Sequence, residues 1–290
     1  MRGASPDVRK LPHYGWIGLF VMLVSQTGML ARVDPFYHWH TPIAWTGYIL
    51  FVDAWVWKRR GASWLRNHPA ELFFISCVSV PLWVLFELYN KYSIHNWYYL
   101  GLPEVLLLRY FGYVWSFATI LPAIFETGDL VSSLRDRRAP ANRAQLPVPQ
   151  KLSPAARIAM ALGAVMVVVP IFVHSDYLAA PVWLGFILLI DPINARAGNE
   201  SILGDWRAGR RGRLINLLLA GLLCGVVWEF WNYWCGTKWI YNVPILPDVK
   251  IFEMPILGFG GFPPFAVECF AMYVLVRGLL WRGAWRPIAV

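Results

Sequence analysis

The chain has 290 residues, of which 58% are hydrophobic and only 15% charged, and its formal net charge is +9. A soluble domain carries about a quarter charged residues, so this composition excludes an ordinary globular fold and points to an all-α, polytopic membrane bundle. The positive charge is then a topology signal, not a nucleic-acid-binding surface.

Apolar runs place about eight transmembrane helices at 14–31, 42–58, 70–89, 106–133, 155–174, 179–195, 213–233 and 252–277, a helix needing about 20 residues to cross roughly 30 Å of hydrocarbon. The second and sixth are short and carry Asp53 and Asp191 near one end. The first residues lack the short apolar core and cleavage site of a signal peptide, so the first segment is expected to stay. With the N-terminus cytoplasmic, 21 of the 26 Lys and Arg fall on the cytoplasmic side; the outer connections keep Arg32, Lys91, Arg109, Lys238 and Lys250. Both termini are therefore read as cytoplasmic, in a membrane that the short loops suggest is a bacterial inner membrane.

The chain also repeats itself. Glu87, Asn90, Trp97, Tyr99, Phe117, Pro122, Glu126 and Arg135 recur 142 positions later as Glu229, Asn232, Trp239, Tyr241, Phe259, Pro264, Glu268 and Arg277. An earlier piece, Gly47 to Asp53, recurs at an offset of 138 as Gly185 to Asp191. Four spans per half, an even number, imply two tandem four-helix repeats in parallel orientation, related by an axis along the bilayer normal. The halves are residues 1–134 and 155–290, and residues 135–154 form a Pro/Arg-rich cytoplasmic linker.

Carboxylates inside apolar segments are expensive and are the default functional candidates. Glu126 and Glu268 each lie nine residues before an Arg, roughly 13 Å into the membrane at 1.5 Å per residue. They are expected to face the bundle interior and each other, one acid keeping its proton for general acid–base chemistry; the alternative is that each caps a carbonyl freed by Pro122 or Pro264. Glu87 and Glu229 share a helix face with Asn90 and Asn232. Phe86, Tyr89, Trp228 and Trp231 surround these groups, and aromatic faces attract cations. Trp97, Trp239, Tyr99, Tyr241, Trp228 and Phe259 are read as cavity lining, with an interfacial aromatic belt as the alternative. Asp53 and Asp191 are assigned to ion pairs with Lys58, Arg59 or Arg196. Glu104 and Glu253 are assigned to helix starts at the outer face.

The segment Gly258 to Pro264 predicts a kinked or unwound helix, and Gly221-x3-Gly225 a close helix contact. Cys77, Cys224, Cys235 and Cys269 have no metal or redox spacing and read as lone buried thiols. His38-Trp39-His40 lacks further ligands, so no metal and no cofactor are expected. Signatures of metalloproteases, serine hydrolases, nucleotide binding and Asp-rich diphosphate–magnesium sites are absent from the sequence, which disfavours those chemistries.

Trp97-x-Tyr99 followed by Gly101-Leu102-Pro103-Glu104 resembles the integral-membrane lycopene cyclase domain family, and Trp228-Glu229-Phe230 resembles the Trp-Glu step of membrane-bound terpene cyclases. A single Glu104 stands where the first family has two acids, and its halves hold about three spans rather than four. The resemblance implies redox-neutral chemistry in which an acid protonates an alkene or epoxide and aromatics hold the cation. The resulting expectation is a cyclase- or isomerase-type enzyme acting on an isoprenoid or other membrane lipid, with Glu126, Glu268, Glu87 and Glu229 catalytic. A proton-coupled carrier or lipid translocator, and a non-catalytic subunit binding a pigment or protein partner, are the alternatives.

Overall fold

The computed structural model describes residues 9–135 and 148–290. Most of the expected linker, residues 136–147, lies outside the described residues, as do residues 1–8 with their termini reading.

The chain is helical almost throughout. A hairpin of α1 (His13–Leu30) and α2 (Phe36–Arg60) leads through the short α3 (Trp64–Asn67) to α4 (Pro69–Tyr89). A π-turn and strand β1 (Trp97–Leu100) precede α5 (Leu106–Ala118) and α6 (Ile120–Arg135). The same order follows with α7 (Pro154–Phe172), α8 (Ala179–Ala197), α9 (Ile202–Arg207), α10 (Gly212–Trp234) and strand β2 (Lys238–Tyr241). A small hairpin of β3 (Lys250–Ile251) and β4 (Met254–Pro255) and a 3-10 turn, Ile256–Gly261, then lead into α11 (Phe262–Leu280). Among the described residues six helical segments are long and apolar enough to cross a membrane: Pro69–Ile94, Leu106–Arg135, Pro154–Phe172, Asp176–Ala197, Gly212–Trp234 and Ile256–Leu280. The protein is thus an integral membrane protein. The two N-terminal predicted spans form helices α1 and α2 but are not among the six; α1 carries Ser25 and Gln26, and α2 carries Asp53 and ends on Lys58, Arg59 and Arg60.

The centre is built from α6 and α11, buried without interruption over Ile120–Asp129 and Phe265–Val274. A helix apolar on all sides belongs in such a position, which suits α11 apart from Glu268, while α6 carries Glu126 and Asp129 into the core with it. The α2 helix packs on α6, α8 on α11, and α10 on both central helices. Within the two hairpins the backbones touch. A Cβ on Gly18 would lie 2.5 Å from the Gly47 carbonyl oxygen, and one on Gly163 would lie 2.7 Å from that of Gly185. Small residues at helix crossings permit this approach where lipid supplies no hydrophobic drive. Gly221 and Gly225 make the predicted contact, lying against the backbone and ring of Phe262 at the start of α11.

The expected break before Pro264 is the 3-10 turn that ends at Gly261, with Pro263 and Pro264 in the first turn of α11. In the first half Thr119 interrupts the chain between α5 and α6. Pro122 has no N–H to donate, and the Ser79 hydroxyl enters the gap, donating to Phe117 O and accepting from Leu121 N–H at 3.1 Å. Such satisfaction by a neighbouring helix is what makes broken helices tolerable at membrane depth.

Asp53 and Asp191 do not make the expected ion pairs. Asp53 Oδ1 accepts the Leu65 N–H at 2.8 Å, and Asp191 accepts those of Ile202 and Leu203 at 2.7 and 2.8 Å. Each carboxyl caps the short helix that follows it, because orphan N–H groups at a helix start need an acceptor. Glu253 is in the β3–β4 turn rather than at a helix start and pairs with Lys238 at 2.6 Å. Three cysteines are buried as expected, and Cys77 is exposed.

At the basic end the C-terminal segment folds back into the bundle. Ile288 and Ala289 are fully buried. Arg286 pairs with Asp129 at 2.7 Å and donates its backbone N–H to Glu71 at 2.8 Å. A buried chain of charges continues through Arg277, Glu200, Arg213 and Asp205. Buried charges of this kind persist only when paired.

Candidate functional site

At the end opposite the basic cluster, β1 and β2 pair antiparallel, with Trp97 opposite Tyr241, Tyr98 opposite Ile240 and Tyr99 opposite Trp239. Exchanging each residue for its counterpart 142 positions away maps this register onto itself. The Asn242 N–H donates to Asn96 O at 2.7 Å, so hydrogen-bonded pairs fall at Asn96, Tyr98 and Leu100. Trp97 and Tyr99 occupy the alternate positions, where side chains of partner strands lie closest. Period 2 then puts Trp97, Tyr99, Trp239 and Tyr241 on one face.

A two-stranded sheet has two open edges, which is costly away from water. Asn90 and Asn232 close them. Asn90 Nδ2 donates to Trp97 O at 2.7 Å, and its Oδ1 accepts from the N–H groups of Asn96 and Trp97 at 2.8 and 3.1 Å. Asn232 Nδ2 donates to Trp239 O at 2.8 Å, and its Oδ1 accepts from Trp239 N–H at 2.9 Å. Both amides are spent on backbone and neither lines the cavity below. The expected substrate-binding role of Asn90 and Asn232 becomes one of positioning the strands.

Beneath the sheet lies a cavity of about 600 Å³. The four strand aromatics line it together with Trp83 from α4, Tyr113 and Phe117 from α5, Trp183 from α8, Trp228 from α10 and Phe265 from α11. The rings form a continuous wall: Trp183 meets Phe265 edge-on at 5.3 Å, Phe265 meets Trp83 at 5.8 Å, and Tyr99 meets Tyr113 at 5.7 Å. Tyr113 stacks on Phe117 at 5.6 Å. Offset and edge-on contacts of this kind are the favoured aromatic geometries.

Behind two of these rings stand carboxyls. Tyr99 donates its hydroxyl to Glu87 Oε1 at 2.5 Å, and the indole N–H groups of Trp83 and Trp97 reach the same oxygen at 2.8 and 3.2 Å. Tyr241 donates to Glu229 Oε1 at 2.8 Å, while Trp239 Nε1 donates to the Tyr241 oxygen. Glu229 is fully buried and its Oε2 has no hydrogen-bond partner among the described residues. Burial, and then the neighbouring glutamates, push both tyrosine hydroxyls well above their ordinary range, which keeps them protonated donors.

The structure does not bring Glu126 and Glu268 to this cavity. Both are fully buried on the central helices, neither lines the void, and none of their oxygens has a hydrogen-bond partner among the described residues. Phe259 also stays off the wall; its ring packs edge-on against Phe262 at 5.7 Å. His38 pairs with Asp34 and His40 bonds Ser25, and no cluster able to hold a metal occurs among the described residues.

Trp83, Tyr113, Trp183 and Phe265 are lining residues that the sequence did not single out. Three of them lack an aromatic counterpart at 142 positions, Trp83 facing Gly225, Tyr113 facing Pro255 and Phe265 facing Ala123, whereas Trp183 matches Trp45 at the offset of 138, a signal that could have found it.

An aromatic cavity beneath a short sheet, inside a helical membrane bundle, defines the class: an integral membrane protein with an aromatic-lined cavity at one end. Compared with protein-family models, curated proteins and solved structures, the chain matches none.

Proposed function

We propose that the protein is a redox-neutral membrane enzyme of the isomerase or cyclase type, acting on an isoprenoid-like lipid in the cavity under the sheet. The observation that carries this reading is the pair of carboxyl–tyrosine units, Glu87–Tyr99 and Glu229–Tyr241, set behind a wall of Trp and Phe rings. Three donors converge on Glu87 Oε1, an arrangement that suits an ionised acceptor. Glu229 keeps one bare oxygen, which suits a neutral acid. For the transfer Glu229, as a neutral acid, turns its O–H to donate to the Tyr241 oxygen in place of accepting from it; the freed Tyr241 hydroxyl gives its proton to an alkene carbon and is refilled from Glu229. The cation left on the adjacent carbon faces the rings, and the Glu87–Tyr99 unit removes a proton from a neighbouring carbon. One proton enters and one leaves, so the product is an isomer of the substrate; Glu87 then gives up its proton and Glu229 takes one back through water, which restores the starting pair.

The reading includes eight spans in two parallel repeats, both termini on the cytoplasmic side and, for a bacterial cell, the inner membrane. It is supported by the strand register and by the bonds Asn90–Trp97 and Asn232–Trp239, which recur 142 residues apart, and by Asp53–Leu65 and Asp191–Leu203, which recur 138 apart. Glu87→Gln and Glu229→Gln, incubated with a panel of polyenes and terpenoids, are expected to lose the conversion of one member to a product of equal mass. Glu126→Gln and Glu268→Gln, away from the cavity, retain it. Conversion at the wild-type rate by both Glu87→Gln and Glu229→Gln refutes the mechanism.

One observation favours a carrier as the second reading: the cavity lies between the halves, and the buried C-terminal segment closes the opposite end. Proton-coupled flux in proteoliposomes, lost on Glu229→Gln and gained on opening that segment, would select it over the enzyme.

A further inference from the structure

The cavity wall is mostly apolar, and its charged or titratable side chains besides the tyrosines are His38, Arg109, Asp176 and Lys238. Arg109, in the first turn of α5, lines the void. Its Nε donates to Pro103 O at 2.9 Å, and its two terminal nitrogens have neither a hydrogen bond nor an ion pair among the described residues. The other basic groups on the wall are already matched: Lys238 pairs with Glu253 at 2.6 Å and His38 with Asp34 at 2.6 Å. Arg109 therefore brings a forked cation with no counter-ion among the described residues to a largely apolar cavity, whose one lining carboxylate, Asp176, faces His95 at 3.7 Å.

Arg109 also stands in line with the proposed chemistry. It lies one helical turn before Tyr113 on α5, and the Tyr113 ring is 5.7 Å from that of Tyr99. Guanidinium, Tyr113, Tyr99 and Glu87 thus follow one wall from the start of α5 inward. A guanidinium with two free nitrogens matches the oxygens of a phosphate or carboxylate in a bidentate fork.

We infer that the ligand is an anionic amphiphile, an apolar chain ending in a phosphate or carboxylate, whose head is held by Arg109 while its chain fills the aromatic cavity. This rests on the apolar-ligand reading of the cavity and adds the head group to it. Anchoring the head fixes which carbon of the chain lies beside Tyr99 and Tyr241, which is how remote binding is spent on positioning.

The test is titration of the full chain in micelles with farnesyl phosphate, farnesol, dodecyltrimethylammonium and inorganic phosphate, read by tryptophan fluorescence. Farnesyl phosphate is expected to bind about 10- to 100-fold tighter than farnesol, the range of one charge-assisted pair. Arg109→Gln removes that difference and leaves farnesol binding unchanged, which also certifies its fold; Arg109→Lys restores part of it. Equal affinity for the phosphate and the alcohol in wild type, or a preference that survives in Arg109→Gln, overturns the inference alone. Tighter binding of the trimethylammonium than of the phosphate does the same, assigning the rings to a cation. Displacement by inorganic phosphate at comparable concentration assigns Arg109 to a free anion and also overturns it. Binding of none of the chain-bearing ligands overturns the apolar-cavity reading itself.

Discussion

Replacing Asn90 by Ala tests whether the sheet over the cavity is held by its two asparagines. The change strands three backbone groups, the N–H groups of Asn96 and Trp97 and the carbonyl of Trp97. All three belong to buried residues. Each lost partner costs about 1 kcal/mol at least and up to about 3 where water cannot replace it, so Asn90→Ala is expected to destabilise by at least about 3 kcal/mol. Asn232→Ala strands two groups, the N–H and carbonyl of Trp239, for at least about 2 kcal/mol. At about 2–4 °C per kcal/mol for a chain of this size, the Tm should fall by about 6 °C or more and about 4 °C or more respectively. Asn90→Asp keeps the acceptor oxygen and loses only the donor to Trp97 O, so it should fall between wild type and Asn90→Ala. Thermal unfolding in detergent, followed by tryptophan fluorescence, reads the series. A Tm within 1 °C of wild type for Asn90→Ala, or a larger loss for Asn232→Ala, refutes the argument.

Three further outcomes follow from other parts of the fold. Arg286→Ala leaves Asp129 buried without its partner and should cost about 3–5 kcal/mol, read as Tm; pairing it with Asp129→Leu should recover much of the loss. Gly163→Val drives a side chain into backbone at Leu189 and Gly185, whereas Gly260 meets nothing within 4 Å; the first should cost about 2–3 kcal/mol and Gly260→Ala about 0.5 or less. His68 lies just before α4, where burial and then Arg286 lower its pKa although Glu71 faces it at 4.0 Å. Its folded form binds protons less readily than the unfolded chain, so its contribution is complete above about pH 6.5 and is lost as pH falls below that. His68→Gln should flatten this part of the stability profile, and an unchanged slope between pH 7 and 5 would rule the assignment out.

The duplicated Glu-x2-Asn-x6-Trp-x-Tyr pattern located the cavity, because polar and aromatic residues at fixed spacing survive divergence only where geometry needs them. It could not assign the parts. Asn90 reads as a ligand group until strand β1 is seen, and four residues of a Trp/Tyr-rich connection carry no strand period to reveal it. Glu126 and Glu268 lie off the cavity for a different reason. Counting residues from an Arg gives depth in the membrane but not where a void lies: both acids are buried inside the bundle as expected, and the cavity sits under the sheet instead. The docked C-terminal segment was illegible because Arg286 is one basic residue among many, and its partners Glu71 and Asp129 lie 215 and 157 residues away in sequence. Arg109 was legible only as an outer-side charge; the missing counter-ion shows in three dimensions alone.

Duplication by itself makes two equal acids, whereas transfer of a proton onto a ligand and off again needs them unequal. The inequality here traces to two differences, one indole missing and one redirected. Trp83 donates to Glu87, and its counterpart 142 residues on is Gly225, which has no indole and against which the Phe262 ring packs. The other matched indole is redirected, Trp97 donating to Glu87 but Trp239 to the Tyr241 oxygen, so among the described residues Glu229 keeps the hydrogen bond from Tyr241 while Glu87 keeps two indoles besides Tyr99. Removing the tyrosine hydroxyls should expose this difference. Tyr241→Phe strips Glu229 of that hydrogen bond and Trp239 Nε1 of its acceptor, a loss of about 1–3 kcal/mol per stranded group. Tyr99→Phe takes one donor of three and should cost about 1 kcal/mol. Matched unfolding curves decide it: if Tyr99→Phe lowers the Tm as much as Tyr241→Phe does, the two carboxyls are equivalent and no division of labour can be built on them.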